Sequence, residues 1–302
     1  MGVIMFGIRR LFAHLISSFV FKRQRSKRVQ YVIKYGILKK LKEYREFRKS
    51  APKPKRFKYN LAVVAIMKNE GPYLREWIEF HKMMGVDKFF LYDNESTDDT
   101  KKILKPYIKS GLVEYTFFPG QKMQLPAYYD CLNKHKMDTK WLAVFDLDEY
   151  LVPVKYDNVR DFLKTVKPDV AQIIIDWVIF GSNGHEKKPK GLVLESYTRR
   201  AKHGWLYKSI INPRLAMNLN CHEHEVAGKT IEPSTNVIRM HHYHCKSWEE
   251  YLKKAARGDA WNGAAGGMYK YQRACFDEHD KNDVTDTAAV RFVPKLKRIL
   301  NR

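Results

Sequence analysis

Asp146, Asp148 and Glu149 put three carboxylates into four positions, inside the run Trp141 to Pro153, WLAVFDLDEYLVP. Carboxylates this close repel one another unless a cation or a proton sits between them. Alternate side chains of an extended chain share a face, so Asp146 and Asp148 point the same way if the strand continues through them. That pattern suits a divalent metal at the carboxyl end of a central strand, where open α/β sheets place their ligands. The plainer description is an acidic loop after a strand. The apolar run before the carboxylates, and Tyr150-Leu151-Val152 directly after them, favour the metal.

Two histidine clusters could add ligands. His222 and His224 lie in CHEHE, and His241, His242 and His244 in HHYHC. Histidines two apart on a strand project to one face, which suits metal ligation. A zinc hydrolase needs three protein ligands and an open water position, and neither cluster has the helical HExxH spacing of a metalloprotease. A single histidine, taken as His244, completing a site with Asp146 and Asp148 is the more economical assignment. Hydrogen bonding accounts for most of the five. Asn69, Glu70 and Asp93 fall at the ends of two further strands, where neighbouring strands would bring them to one ligand. Asn94 and Asp98 fit loop and helix-cap roles instead.

The elements that must position these groups are legible as alternating apolar runs. Leu61–Met67, Lys88–Tyr92, Leu112–Phe118 and Trp141–Phe145 read as strands buried on both faces. Between them, Tyr73–Met84, a segment ending at Lys109, and Leu125–Lys136 read as helices. Pro72 suits the first turn of the first helix, Gly85 ends it, and Ser96 with Asp99 resembles an N-cap before the second. Strand and helix in this order predict a right-handed βαβ sheet. No GxGxxG is present, so the usual dinucleotide fingerprint is not indicated. Beyond residue 155 a short helix over Asp157–Val166 and a long strand over Val170–Phe180 precede a turn-rich loop, Gly181–Gly191. Ser247 and Glu250 form a capping box for a helix to Arg257. The small-residue stretch Gly258–Gly267 reads as mobile, and Arg291–Arg302 as a short basic helix.

Charge divides the chain. Of 302 residues with net charge +23, residues 1–58 carry 18 Lys or Arg and only 2 Glu, so +16 sits there. The expected organisation is a basic, partly amphipathic helical arm and linker over 1–58, then an α/β domain over 59–302. That domain divides into a nucleotide-binding half, 59–153, and an acceptor half with C-terminal helices, 154–302. The arm needs an anionic partner. Its apolar segment 3–21 is broken by Arg9, Arg10 and His14, and Leu11–Phe21 falls short of the ~20 residues a spanning helix requires. An interfacial helix with a polybasic flank, worth about 1 kcal/mol per charge at an anionic surface, stands beside a helix packed on the body. Cys131, Cys221, Cys245 and Cys275 are scattered without a CxxC, which favours a reducing compartment over a disulfide scaffold.

The combined motifs resemble a known family. VAIMKNEGPYLREWIEFHKMMGVDKFFLYDNESTDDT and KWLAVFDLDEYLVP, with DWVIFGSNGHEKKPKGLV, KSIINPRLA and HHYHCKSWEEYLKKAARG, are similar to glycosyltransferase family 92 and related family-2-like GT-A enzymes. The resemblance covers roughly residues 59 to 260. It implies a GT-A fold, Rossmann-like and mostly parallel, and transfer of a sugar from a nucleotide donor, expected to be UDP-linked, to a glycan hydroxyl with inversion. On this chain it makes Asp148 the direct ligand of manganese or magnesium, with Asp146 at the ribose or a metal-bound water. Asp93 would bind the base, and Asn69 and Glu70 would lie near the nucleoside. The physics agrees, because a divalent ion stabilises charge on a departing diphosphate without needing a proton.

The general base is less legible. Glu223, Glu225 and Asp176 are the candidates, and Trp177, Phe180 and the Gly181–Gly184 loop are candidates for a sugar-binding wall. A surface-polysaccharide or lipid-linked acceptor and a cytoplasmic enzyme held peripherally at the inner membrane surface are the expected setting. The competing readings are a histidine-cluster metal hydrolase, a nucleic-acid-binding protein and an inactive sugar-binding relative. The nucleic-acid reading fares poorly, because the charge is gathered in one arm and not interleaved with aromatics on a folded surface.

Overall fold

In the computed structural model, the structure is described for residues 36–258 and 271–301. The apolar segment 3–21 and its basic flank lie outside the described residues, as does most of Gly258–Gly267. The arm enters as helix α1, Ile37–Ser50. The body then alternates as expected: β1 Tyr59–Met67, α2 Gly71–Met83, β2 Lys88–Asp93, α3 Thr100–Lys109, β3 Val113–Phe117, α4 Gln124–His135, β4 Thr139–Val144 and β5 Glu149–Pro153. After α5, Val159–Lys164, comes the long strand β6, Val170–Ile179; Asn158 caps α5 by accepting from the Asp161 N–H. A short helical turn α6, Val193–Ser196, and strand β7, Arg199–Arg200, lead to β8, Tyr207–Ile211. Then follow β9 Ala216–Asn218, β10 Glu225–Val226, β11 Lys229–Ile231 and β12 Ile238–His242. The chain closes with α7 Trp248–Arg257, α8 Arg273–His279, β13 Val284–Thr285 and α9 Val293–Leu300.

The central sheet runs β3-β2-β1-β4-β8-β6-β12-β5, with β11 beside β6. Pairing is parallel from β3 through β4, then antiparallel on both sides of β8. The sheet is covered on both faces, which is why β1 reads as one apolar run. Leu61, Val63, Ala65 and Met67 enter one core cluster, and Ala62, Val64 and Ile66 the other. The chain builds outward from β1 to β2 and β3, then returns to place β4 on the other side of β1. The connections leaving β1 and β4 therefore diverge, and a crevice opens at their carboxyl ends.

Two local expectations are corrected. The strand before the acidic cluster ends at Val144, and residues 145–148 form the turn into β5. Asp146 and Asp148 are therefore oriented by a turn and not by strand alternation. The Ser96–Asp99 cap does not form: Ser96 Oγ accepts from the Asn69 N–H at 2.9 Å, and Asp98, not Asp99, accepts from the Thr100 N–H at 3.0 Å. The Ser247–Glu250 capping box forms as expected at the start of α7.

Strand β5 is the sheet's edge, and such an edge leaves backbone groups without ladder partners. Helix α2 supplies them. Trp77 Nε1 donates to the Glu149 carbonyl at 2.8 Å, and the Leu151 N–H donates to His81 Nε2 at 3.1 Å. His81 Nδ1–H in turn donates to the Trp77 carbonyl at 2.8 Å. These two side chains pin the strand that follows the acidic turn.

Candidate active site

The crevice holds a cavity of about 580 Å³. Its walls come from the segment after β1 (Lys68, Glu70), the loop after β2 (Asn94, Glu95), the β4–β5 turn (Asp146, Leu147, Asp148) and the end of α7 (Lys254, Arg257). Trp177, Lys208, His222, His242 and His244 are among its other lining residues.

Asp148, His242 and His244 converge there, one ligand atom of each lying within 4.8 Å of the others. The convergence follows from strand register. Strand β12 pairs antiparallel with β5 so that His242 stands opposite Glu149, and the Tyr243 N–H donates to the Asp148 carbonyl at 2.9 Å. Burial alone would push the Asp148 carboxyl up, but Lys254 and His242 beside it outweigh that and hold it well below the usual carboxylate range. Burial holds His242 below its ordinary value, although Asp148 opposes it; burial together with Lys254 holds His244 well below. The group is one carboxylate with two neutral imidazoles, and among the described residues His242 Nδ1 is buried without a hydrogen-bond partner. That donor set fits a divalent transition metal better than magnesium, which keeps to oxygen ligands.

Asp146 stands outside this group. Its Oδ2 accepts from Lys208 Nζ at 2.7 Å and its Oδ1 from Gln124 Nε2 at 3.1 Å, while its N–H donates to Glu149 Oε2 at 2.8 Å. Lys208 is 1% exposed. Burial opposes its charge, but Asp146 and Glu149 raise its pKa well above the ordinary lysine value. Burial pushes the fully enclosed Glu149 carboxyl well up. Lys208 therefore answers the like-charge repulsion that the sequence poses at residues 146–149.

The nucleoside-side candidates are bound into local structure. Asn69 has φ 53°, and its Oδ1 accepts from the Thr97 N–H at 2.7 Å, which ties the segment after β1 to the loop after β2. Gly71 belongs to the same junction: its N–H donates to Asp98 Oδ2 at 2.9 Å, and a Cβ there would lie 2.8 Å from that oxygen. Glu70 is buried, pairs through Oε1 with Arg257, and leaves Oε2 without a partner among the described residues. Asp93 is 2% exposed and does not line the cavity. Its carboxylate accepts from the Ser96 N–H and the Tyr115 hydroxyl, at 2.9 and 2.7 Å.

The three base candidates do not line the cavity either. Glu225 is drawn to the arm by Lys40 and the Tyr44 hydroxyl. Asp176 sits in β6 opposite Tyr207, and its neighbour Trp177 is the residue that faces the cavity. Glu223 lies between the cavity residue His222 and the buried His224. The Gly181–Gly184 loop is tied instead to residues 280–282, through Ser182 to Asp280 and Asn183 to Asn282. Phe180 packs in the core against His241 and Tyr243.

Sequence reasoning missed His242 as a second imidazole, and it missed Lys208, Lys254 and Arg257. The two-residue spacing of His242 and His244 was the signal for the pair. The lysines and the arginine carry no pattern of their own.

The sheet and its crevice define an α/β protein with a polar, metal-competent cleft at a topological switch point. The model of Glycosyltransferase family 92 matches residues 64–271, and the chain belongs to that family. A family 92 protein of rice, Oryza sativa subsp. japonica, is 29% identical over 205 residues, covering 65% of this chain and 35% of that protein. The galactan beta-1,4-galactosyltransferase GALS3 of Arabidopsis thaliana is 26% identical over 223 residues, covering 65% of this chain and 43% of its own. The chain thus spans under half the length of these two relatives. Among solved structures, Staphylococcus aureus TarS in complex with UDP aligns at TM-score 0.36 and 14% identity, over 52% of this chain and 47% of that one.

Proposed function

We propose that the chain is a metal-dependent, inverting glycosyltransferase that takes a sugar, with galactose the first candidate, from a UDP donor to a glycan hydroxyl. The observation that carries this is the convergence of Asp148, His242 and His244 in the switch-point cavity of a family 92 chain. The choice of galactose follows the relatives named as beta-1,4-galactosyltransferases. Asp148, His242 and His244 would hold manganese, which would offset the negative charge of the diphosphate leaving group. Asp146, held in place by Lys208 and Gln124, faces the same cavity and is assigned to the ribose. Lys68, Glu70, Asn94 and Glu95 line the nucleoside end.

In the displacement, the bond from the sugar's anomeric carbon to the diphosphate oxygen breaks as the acceptor oxygen bonds to the opposite face. The acceptor's proton needs a base. His222 lines the cavity, and its Nδ1 must carry the proton it donates to the Tyr207 carbonyl at 3.0 Å, which leaves Nε2 as a lone-pair acceptor. Burial, then Lys208, lower its pKa to about 4, and a bound diphosphate would offset the second of these. We assign the base role to His222. The basic arm is assigned to an anionic membrane surface and a lipid-linked or polysaccharide acceptor, on its charge asymmetry alone.

The test is a panel of UDP-sugars incubated with full-length protein and EDTA, manganese or magnesium, followed by UDP release and thermal shift. Release and stabilisation restored by manganese, more weakly by magnesium, and abolished in Asp148→Asn are the expected result. Equal release by Asp148→Asn, or no stabilisation by any UDP-sugar, would sink the reading.

A further inference from the structure

The last two turns of α7 carry the cavity's most telling cation. Lys254 Nζ donates to Asp148 Oδ2 at 2.5 Å, to His244 Nδ1 at 3.1 Å and to the His244 carbonyl at 3.3 Å. Two of the three groups assigned to the metal are thus also the partners of one ammonium. An ammonium can only donate, so this contact puts the His244 ring lone pair on Nδ1. One lone pair serves either the ammonium or a metal ion, never both. Metal loading therefore requires Lys254 to leave.

Where it can go is set by the same geometry. Lys254 lines the cavity and is 27% exposed on a flexible four-carbon stem. Arg257, one turn further along α7, cannot substitute for it, because its guanidinium is engaged by Glu70 and the Asn69 carbonyl. An ammonium expelled from a carboxylate in a partly enclosed cavity needs another anion close by, since an unpaired charge there is costly. A donor diphosphate drawn in by a cation at Asp148 would be such an anion.

We propose that Lys254 is a diphosphate-binding residue that rests on the metal ligands and is handed to the donor as the metal enters, so that metal and nucleotide load together. This rests on the metal-dependent reading above. It makes Lys254 a competitor of the free metal and a partner of the ternary complex, which are opposite effects on two measurable affinities. A lysine that merely neutralised Asp148 would show the first effect without the second.

The experiment measures manganese binding by electron paramagnetic resonance and calorimetry, without and with UDP, on wild type, Lys254→Met and Lys254→Arg, all checked for folding by thermal unfolding. Lys254→Met is expected to bind manganese alone about tenfold more tightly, the scale of a lost charge-assisted hydrogen bond. With manganese saturating, it is expected to bind UDP about tenfold more weakly and uridine unchanged, and Lys254→Arg to recover part of the UDP affinity. If Lys254→Met tightens manganese but leaves UDP unaltered, Lys254 is a plug only and the proposal falls. If wild type binds manganese with UDP and the variant matches it in both affinities, the proposal falls while the metal site stands. Absence of saturable manganese binding to wild type with UDP would remove the metal reading and this inference together.

Discussion

Lowering the pH from 7 to 5 should weaken the fold through one buried imidazole, His81. Its ring lies between α2 and the edge strand β5, donating from Nδ1 to the Trp77 carbonyl and accepting the Leu151 N–H at Nε2. Both bonds require the neutral ring with its proton on Nδ1, because a protonated Nε2 cannot accept. Burial drives the folded pKa down from 6.5 to about 3, against the weaker upward pull of the Trp77 carbonyl. The unfolded chain therefore takes up a proton that the folded chain refuses. The stability this group contributes is complete above about 6.5 and is lost progressively as pH falls toward 3. Between pH 7 and pH 5 the loss is about 2 kcal/mol. Urea denaturation at both pH values, on wild type and on His81→Gln, isolates it. Glutamine keeps an acceptor and a donor in the gap but does not titrate. His222 and His224, lowered to about 4 and about 3 mainly by burial, titrate in both proteins and cancel in the comparison. The wild type should lose about 2 kcal/mol more than the variant over this interval. Parallel pH dependence in the two would refute the assignment of a neutral, bridging His81.

Two further outcomes test the remaining parts. Lys208→Met removes the cation from between Asp146 and Glu149 while keeping most of the stem; with Asp146's side chain 32% exposed and screened accordingly, the cost should be about 1–2 kcal/mol in urea denaturation. A stability within error of wild type would show that the triad is not held by that charge. Deleting residues 1–50 should release the protein from anionic vesicles in a sedimentation assay while leaving UDP release from the donor unchanged. Retention on the vesicles would give the arm another job.

The parallel half was readable because its physics is local. A strand buried on both faces must be apolar along its length, and the polar residues where each run stops mark the carboxyl end of the sheet. That places Asn69, Glu70, Asp93, Asp146 and Asp148 at one edge on sequence grounds alone. The sequence did not reveal how the second half returns to that edge. Among five histidines in two clusters, the choice is made by β12 entering between β6 and β5, in a register that sets His242 opposite Glu149. A slip of one residue would turn the alternate set inward. His241 would then face the site and His242 the core, where His241 now packs against Phe180 and Arg239.

The cations were hidden for a different reason. Lysine and arginine together number 56 in this chain, which leaves no single one conspicuous. Lys208 is distinguished only by burial at the centre of the sheet, facing the turn that carries Asp146. Its presence there satisfies the Asp146 carboxylate without a metal. With one carboxylate satisfied by a permanent ammonium, and the other by an ammonium that reaches it from a helix end, the like charges of FDLDE are resolved without both aspartates turning to one ion. The first arrangement is built into the sheet, and the second is exchangeable. That difference assigns fixed geometry to the Asp146 side of the cavity and exchange of cations to the Asp148 side.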